Sequence, residues 1–267
     1  MAEWNTGEIT TNGVRLHFMH AGNGKPPMLL AHGLTDAGAC WLPVAEQLRA
    51  DYDVVMYDAR GHGQSEKPAS GYTYDNLAAD MVGLIGALGL AQPIVIGHSM
   101  GAATAGLAAA RSPELFRAVI LEDPPARNRP AAEENEFMAS WRAGLLKEQT
   151  LSHDALVAAG HTQSPTWSDA ELTHWADAKL QASPNALEII RTPGTQWFAH
   201  VGEITCPVLL VAADEALGSA VAPEIAAQVQ GAWRNGQFVR IAGAGHSVHR
   251  EAPAAWMQAV RAFLAEV

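Results

Sequence analysis

Ser99 stands in a pattern that is typical of a nucleophilic serine. It is the central residue of the G-x-S-x-G segment Gly97–Gly101, which follows the apolar run Pro93–Ile96 and leads into the Ala-rich stretch Met100–Arg111. A serine on a sharp turn between a strand and a helix projects its hydroxyl above the sheet, and flanking glycines leave room for this turn. The sequence therefore predicts Ser99 as a nucleophile, and it predicts a structural role for the adjacent His98.

His246 has the sequence context expected of the base that activates such a serine. It follows the predicted strand Gln237–Ile241 after a glycine-rich turn, late in the chain. A neutral imidazole at this position would accept the Ser99 proton and later return it to the leaving group. Of the 11 histidines, His246 alone has this context. His249 is expected to be a surface or structural residue.

Two backbone amides are predicted to form an oxyanion hole. The segment Met28–Asp36 begins as an apolar strand and continues through His32 and a glycine into a loop. A tetrahedral intermediate needs two N–H donors, and the chain offers those of Leu34, in this loop, and of Met100, next to the predicted nucleophile. His32 is expected to brace the loop backbone.

The remaining cysteines and histidines give no support for a metal site. Cys40 and Cys206 are far apart and form no C-x-x-C motif, so both are interpreted as small buried residues. His17 and His20 lie three residues apart on a predicted strand, where their side chains point to opposite faces. We therefore expect no metal site.

The composition indicates a globular protein that does not bind nucleic acid. Of the 267 residues, 48% are hydrophobic and 17% are charged, which suits a large core and argues against disorder. A formal net charge of −11 disfavours nucleic acid and anionic membranes as partners. The first residues do not resemble a signal peptide, so we expect a cytoplasmic protein that is a monomer or a small homo-oligomer.

The order of apolar patterns predicts an α/β fold with a helical insertion. Short apolar runs alternate with helical periodicities, which is typical of a parallel sheet covered on both faces. Between residues 124 and 200 no strand pattern occurs. We therefore predict a core domain of residues 1–123 and 201–267 and a helical cap of residues 124–200. Within the cap, Trp141 and Leu145 are predicted to contact the substrate.

Four motifs together resemble the α/β hydrolase family. They are His32-Gly33, Asp58–Ser65, Gly97–Gly101 and Gly245-His246. The resemblance implies a mostly parallel eight-stranded sheet, a helical cap over the active site, and hydrolysis mainly of esters without a cofactor. It also implies an architectural role for Asp58–Ser65. Dehalogenases and epoxide hydrolases of this fold use a carboxylate nucleophile, whereas residue 99 is a serine.

The third member of the catalytic triad departs from the usual pattern of the family. The usual acid position, after the strand Pro207–Ala213, holds Ala216, while Asp214 and Glu215 stand one or two residues earlier. Some relatives take the acid from the end of the strand before the cap, where this chain has Asp123. A carboxylate from either strand end could orient the imidazole. We place the acid at Asp123, with Asp214 as the alternative and Glu215 as the third choice.

These features predict a serine hydrolase that cleaves small to medium hydrophobic carboxylic esters through an acyl-enzyme intermediate. Two alternatives use the same triad: hydrolysis of lactones or of carbon–carbon bonds, and perhydrolysis. A further alternative, from a different functional class, is a ligand-binding receptor that keeps the fold without catalysis. The intact set of serine, histidine and carboxylate argues against the receptor.

Overall fold

The computed structural model describes residues 4–22, 24–126, 130–193 and 196–267. Within these ranges, eight strands form one sheet in the order β1-β2-β4-β3-β5-β6-β7-β8. Their bounds are β1 Asn5–Thr11, β2 Val14–Ala21, β3 Pro27–Ala31, β4 Asp53–Tyr57, β5 Ile94–His98, β6 Ala118–Glu122, β7 Val208–Ala212 and β8 Gly236–Arg240.

The sheet is mostly parallel, as predicted. Strands β4, β3, β5, β6, β7 and β8 pair in parallel, whereas β2 pairs antiparallel with both β1 and β4. Strands β3 to β7 are almost wholly buried because helices cover both faces, whereas the residues of β8, at the edge of the sheet, are exposed or half-buried. The carboxyl ends of the parallel strands meet at one edge of the sheet, which is where open α/β sheets place their binding sites.

Ten α-helices lie among the described residues, together with several short 3₁₀ helices. The α-helices are α1 Leu42–Leu48, α2 Tyr74–Ala87, α3 Met100–Arg111, α4 Ala131–Glu148, α5 His153–Gln163, α6 Asp169–Gln181, α7 Gln196–Ala199, α8 Pro223–Ala232, α9 Val248–Glu251 and α10 Pro253–Leu264. The longest 3₁₀ helix is Pro184–Arg191.

Two apolar layers hold the sheet between the helices. On one face, alternate strand residues such as Leu29 and Val95 pack with α2 and α3. On the other face, their neighbours Leu30 and Ile96 pack with α1 and α10. This division follows from the alternation of side chains along a strand. Helix α3 is buried over nearly its whole length, and its Ala and Gly residues allow it to lie close to the sheet.

The chain between β6 and β7 is helical, in agreement with the pattern of the sequence. It contains α4, α5, α6, the 3₁₀ helix Pro184–Arg191 and α7, and no strand occurs in its described part. Ser168 begins α6 with a capping box, in which its hydroxyl and the Glu171 carboxylate each accept from the other's backbone amide. Residues 127–129 and 194–195 of the predicted cap lie outside the described ranges.

Strand β1 and helix α1 are among the elements that were not predicted from the sequence. Strand β1 is an edge strand with exposed or half-buried residues throughout, so it carries no apolar run. Helix α1 has only seven residues, too few for a clear helical period. Within the described ranges, no helix combines the length and the apolar character that a membrane crossing requires.

Candidate active site

Ser99 lies on a strained turn between β5 and α3. Its backbone dihedrals are φ 50° and ψ −113°, in a region that side-chain-bearing residues rarely adopt. The turn is possible because the residues at positions 97 and 101 have no Cβ. A Cβ at Gly97 would overlap the Gly101 carbonyl, and a Cβ at Gly101 would overlap the Ala31 carbonyl. Both positions therefore require glycine. The Ser99 amide donates to the Glu122 carbonyl at 2.8 Å, which anchors the turn to β6.

Ser99, His246 and Asp123 form one hydrogen-bonded chain. The His246 Nε2 atom lies 2.9 Å from the Ser99 hydroxyl oxygen, and its Nδ1 atom lies 2.7 Å from Oδ2 of Asp123. A proton on Nδ1 donates to the carboxylate, which leaves Nε2 to accept from the serine hydroxyl. The structure thus brings together three residues that are 24 to 147 positions apart in the sequence.

Asp123 is completely buried and held by several donors. Oδ2 accepts from the Ala220 amide at 2.8 Å, and Oδ1 accepts from the Ser219 hydroxyl at 2.7 Å. Burial acts to raise the pKa of Asp123, but the hydrogen bond and charge of His246 and these donors outweigh it, so the pKa lies below its ordinary value. Asp123 is therefore ionised and oriented, as a triad carboxylate must be.

The alternative acids lie apart from this chain. Asp214 begins a short 3₁₀ helix, where its carboxylate accepts from the Ala216 amide at 2.9 Å and the Gly243 amide at 2.8 Å. Glu215 is exposed to solvent. Among the described contacts, neither residue is bonded to His246. The loop after β7 uses Asp214 to fix the glycine-rich turn that precedes the histidine, and not to orient the imidazole.

The loop that carries His246 is fixed from both sides. The Nε2 atom of His98 lies 3.1 Å from the His246 carbonyl oxygen, within hydrogen-bond distance. The Glu251 carboxylate accepts from the Gly245 amide at 2.7 Å and from the Ser247 amide at 3.2 Å. Burial lowers the pKa of His98 to about 3, so this imidazole is a neutral donor. His98 thus has the structural role that the sequence predicts.

The His246 imidazole is tuned toward the basic side. Burial acts to lower its pKa, but the hydrogen bond and the charge of Asp123 outweigh burial and place the pKa of His246 above 6.5. The neutral imidazole, which can accept a proton from Ser99, consequently predominates only at a pH above this raised pKa.

The two predicted oxyanion donors lie in the same pocket as Ser99 and His246. Met100 is the first residue of α3, whose amide has no partner within the helix. Neither its amide nor that of Leu34 donates to another residue of the described chain. The Gly33 carbonyl accepts from the Asp36 amide at 3.1 Å and pairs with His32 Nδ1 at 2.7 Å, which orients the Gly33–Leu34 peptide.

His32 braces the loop, as the sequence predicts. Its Nε2 atom accepts from the Ala59 amide at 3.0 Å, so the proton resides on Nδ1. Burial lowers the pKa of His32 and lowers that of His62 to about 3, and His62 Nε2 accepts from the Thr35 amide at 3.1 Å. Two neutral imidazoles therefore hold the oxyanion loop to the segment Asp58–Ser65.

The pocket above the triad is mainly apolar and has a volume of about 350 Å³. Phe137 and Trp141 of α4 line it and contact each other edge to face, with ring centroids 5.5 Å apart. Leu34, Met100, Pro125, Ile189 and Ile190 complete the apolar wall. A cavity of this size accommodates a small acyl group.

One predicted contact residue does not line the pocket. Leu145 is 1% exposed and packs against Ala182 and Leu187 in the interior of the helical insertion. It lies four residues after Trp141, so both share a face of α4. At Leu145, however, the helix packs against the 3₁₀ helix Pro184–Arg191. Leu145 is therefore not among the residues that line the pocket, and its contact with the substrate stays a prediction.

Two further histidines, His17 and His249, are buried and bonded to carboxylates. His17 lies 3.0 Å from the buried Asp58 carboxylate, which also accepts from the Gly38 and Gln64 amides. His249 is buried, and both its Nδ1 atom and its amide contact the Glu122 carboxylate. Cys40 and Cys206 are buried free thiols.

Three contributions to the site were not found from the sequence. Ser219 and Ala220 hold Asp123 from a loop that carries no motif. Glu251 anchors the histidine loop from α9, five residues after His246, and a carboxylate placed so soon after a catalytic histidine was a usable signal. Glu134 of α4 lines the pocket, but a glutamate near the start of a helix resembles an ordinary solvent-exposed residue.

Comparisons with known proteins agree with this architecture. A sequence model of the alpha/beta hydrolase family matches residues 28–259. The chain is 32% identical over 169 residues to an N-formylmaleamate deformylase of Pseudomonas putida, a match that covers 62% of this chain and 61% of the relative. It is 38% identical over 110 residues to a 2-(acetamidomethylene)succinate hydrolase of Mesorhizobium japonicum, covering 41% of this chain and 39% of the relative. The matched stretches thus span less than two thirds of both relatives.

Solved structures resemble nearly the whole chain. A crystal structure of an E-2-(acetamidomethylene)succinate hydrolase superposes with a TM-score of 0.84 at 25% identity, covering 98% of this chain and 99% of the other. That of an N-formylmaleamic acid deformylase from Pseudomonas putida S16 gives 0.80 at 27% identity, covering 96% and 100%. The shared sheet, the family match and the motifs at the carboxyl ends of the strands agree: this chain belongs to the α/β hydrolase family.

Proposed function

We propose that this protein is a serine hydrolase that cleaves small to medium, uncharged carboxylic esters through an acyl-enzyme intermediate. The observation that carries the proposal is the hydrogen-bonded chain from Ser99 through His246 to Asp123 at the base of an apolar pocket. Every group that acyl transfer needs is supplied by the chain itself: a nucleophile, a base, an orienting carboxylate and two amide donors.

The geometry supports a two-stage reaction. His246 removes the Ser99 proton as the oxygen attacks the ester carbonyl, and the amides of Leu34 and Met100 bind the resulting oxyanion. The imidazolium, stabilised by Asp123, then protonates the leaving alcohol, and the carbonyl re-forms as the acyl-enzyme. In the second stage His246 deprotonates a water molecule, which attacks the acyl carbon. As the bond between the acyl carbon and the Ser99 oxygen breaks, the imidazolium returns the proton to that oxygen, which releases the acid and restores Ser99 and neutral His246.

A second candidate is hydrolysis of an N-acyl bond in a small acid. The observation that favours it is the similarity to a deformylase and to a succinate-derivative hydrolase. The same triad could break a C–N bond, because His246 can protonate an amine as readily as an alcohol. The two candidates differ in substrate charge, and this difference makes them separable.

Substrate charge is the basis of the first prediction. Among the described residues that line the pocket, Glu134 carries the only permanent charge, and no lysine or arginine is present there. We therefore expect kcat/KM to be higher for p-nitrophenyl butyrate than for p-nitrophenyl hemisuccinate, which has an anionic acyl chain. Glu134→Gln should narrow this ratio about three- to fivefold by removing a like charge at a partly solvated site.

The matched control is Glu133→Gln, because Glu133 is exposed on the same turn of α4 and does not line the pocket. Its ratio should equal that of the unmodified protein. A preference for the hemisuccinate would contradict the proposal that the substrate is uncharged and would favour the acidic substrates of the second candidate. Arg127 and Arg129, which lie outside the described residues, would then be the next positions to substitute.

The second prediction concerns pH. Below its pKa, His246 is an imidazolium that cannot accept the Ser99 proton, so kcat/KM for p-nitrophenyl butyrate should fall as the pH decreases. Because Asp123 holds the pKa of His246 above its ordinary value, the midpoint of this acidic limb should lie above pH 6.5. A pH profile of kcat/KM measures it. A midpoint below pH 6.5 would show that Asp123 does not stabilise the imidazolium.

A further inference from the structure

The loop that carries the Leu34 donor contains a strained turn. Residues Gly33 to Asp36 form a four-residue turn that is closed by the hydrogen bond from the Asp36 amide to the Gly33 carbonyl. Its third residue, Thr35, has φ 64°. Turns with a left-handed third residue normally place glycine or asparagine there, and a β-branched threonine is disfavoured. The turn must therefore be stabilised by contacts outside it.

Thr35 is fixed at two atoms. Its amide donates to His62 Nε2 at 3.1 Å, on the core side. Its hydroxyl accepts a hydrogen bond from Nζ of Lys179, a residue near the end of α6 in the helical insertion. Thr35 is fully buried and Lys179 is only 9% exposed, so solvent cannot replace this contact. Burial of a charge without partners is costly, so the hydrogen bond to the Thr35 hydroxyl helps to stabilise the buried Lys179 ammonium.

Burial lowers the pKa of Lys179, whereas Asp36 of the same turn acts against burial and favours the charged form of Lys179. The neighbouring Asp36 is buried, and one oxygen of its carboxylate accepts from Arg250 at 3.0 Å. Both Lys179 and Arg250 favour the ionised form of Asp36, and they hold its pKa below the ordinary value against the effect of burial. Helix α6 also packs here through Ala178, which contacts Ala37 and Cys40. The insertion thus meets the core at the oxyanion loop through packing and charge together.

We propose that Lys179 is a positioning residue for the oxyanion hole, acting through Thr35 on the turn that orients the Leu34 amide. The consequence is that the helical insertion does more than cover the pocket. Its contact with the loop of Leu34 completes the site that stabilises the oxyanion. This inference rests on the proposed acyl transfer at Ser99, because an oxyanion hole has a role only if an oxyanion forms.

The test uses five variants of the full chain and p-nitrophenyl butyrate as substrate. Lys179→Met removes the donor, and Thr35→Val removes the acceptor while it keeps the shape of the side chain. Each should lower kcat about 10- to 100-fold, the range expected when a donor is displaced but not deleted. KM should change little, because the lost interaction operates mainly in the transition state. Thr35→Ser keeps the hydroxyl and should retain kcat within about threefold.

The double variant Lys179→Met with Thr35→Val distinguishes coupling from general damage. If the two residues act through one hydrogen bond, the double variant should lose no more kcat than the worse single variant. Thermal unfolding of each variant reports whether it folds, and the Thr35→Val and Thr35→Ser pair keeps the test decisive even if Lys179→Met does not fold. Lys147→Met, at an exposed lysine of α4, is the control and should match the unmodified protein.

Two failures remain separable. If the unmodified protein neither turns over the ester nor reacts with a fluorophosphonate at Ser99, the proposed function is wrong. The unmodified protein could instead turn over the ester and react with the probe while Thr35→Val retains full kcat, or while Thr35→Val and Thr35→Ser lower kcat by the same factor. In either case the positioning role of Lys179 is wrong. Multiplicative losses in the double variant would likewise overturn the proposal, since they would show that the two residues act independently.

Discussion

Replacing Ser99 with alanine is expected to lower kcat for p-nitrophenyl butyrate by about five to six orders of magnitude. The reason is that the Ser99 oxygen is the atom that becomes acylated, and the site described here offers no second nucleophile in contact with His246 Nε2. The residual rate should come from binding and from the amides of Leu34 and Met100. Stopped-flow measurement of p-nitrophenol release should show a burst in the unmodified protein and none in Ser99→Ala.

Ser99→Ala should leave the fold intact. The residue lies on a turn whose geometry depends on Gly97 and Gly101. The hydrogen bond from its backbone amide to the Glu122 carbonyl does not involve the side chain. Thermal unfolding should therefore be nearly unchanged. Ser70→Ala, at an exposed serine far from the pocket residues, is the matched control and should keep both the burst and kcat. Substantial residual burst in Ser99→Ala would identify another nucleophile.

Asp123→Asn is expected to lower kcat by about 10⁴-fold. The amide group of asparagine would present a donor or a weaker acceptor to Nδ1, so the imidazole would lose its preferred tautomer and the stabilisation of its charged form. Asparagine tolerates the left-handed backbone that Asp123 adopts at φ 40°, so the loop should keep its conformation. Steady-state kinetics with the same ester measures the loss.

Asp214→Asn is the matched control for this prediction. It makes the same chemical change on the neighbouring strand end, at a carboxylate that contacts only the Ala216 and Gly243 amides among the described residues. We expect kcat within about threefold of the unmodified value. The reverse outcome, a large loss in Asp214→Asn and a small one in Asp123→Asn, would move the acid to the loop after β7.

The catalytic chain could be placed from the sequence because each member follows a recognisable strand end. Ser99 and His246 lie after β5 and β8. The glycines on either side of Ser99 are required by close backbone contacts, whereas Gly245, before His246, lies against the side chain of Glu251. Asp123 was the narrower choice, since a carboxylate at either strand end can reach an imidazole. Only the three-dimensional distance between side chains decides between them, and here it favours Asp123.

The environment of the chain was harder to predict because it depends on contacts between distant segments. Lys179 lies 144 positions from Thr35, and on an amphipathic helix a lysine resembles a solvated residue. The burial of Leu145 within the helical insertion was not predicted for a related reason: an apolar residue of such a helix can face the pocket or the interior of the insertion, and helical spacing alone does not distinguish the two. Strand β1 was missed because an exposed edge strand needs backbone pairing and not apolar residues.

The most direct test of the account is the site of covalent modification by a fluorophosphonate probe, mapped by intact-mass and peptide mass spectrometry. The probe reacts with a serine whose proton is removed by a neighbouring base, so it reports on the contact between Ser99 and His246 without assuming a substrate. We predict one adduct per chain, on Ser99, which is absent in Ser99→Ala and forms much more slowly in Asp123→Asn. A folded protein that acquires no adduct, or acquires it on another residue, would contradict the central claim that Ser99 is the activated nucleophile.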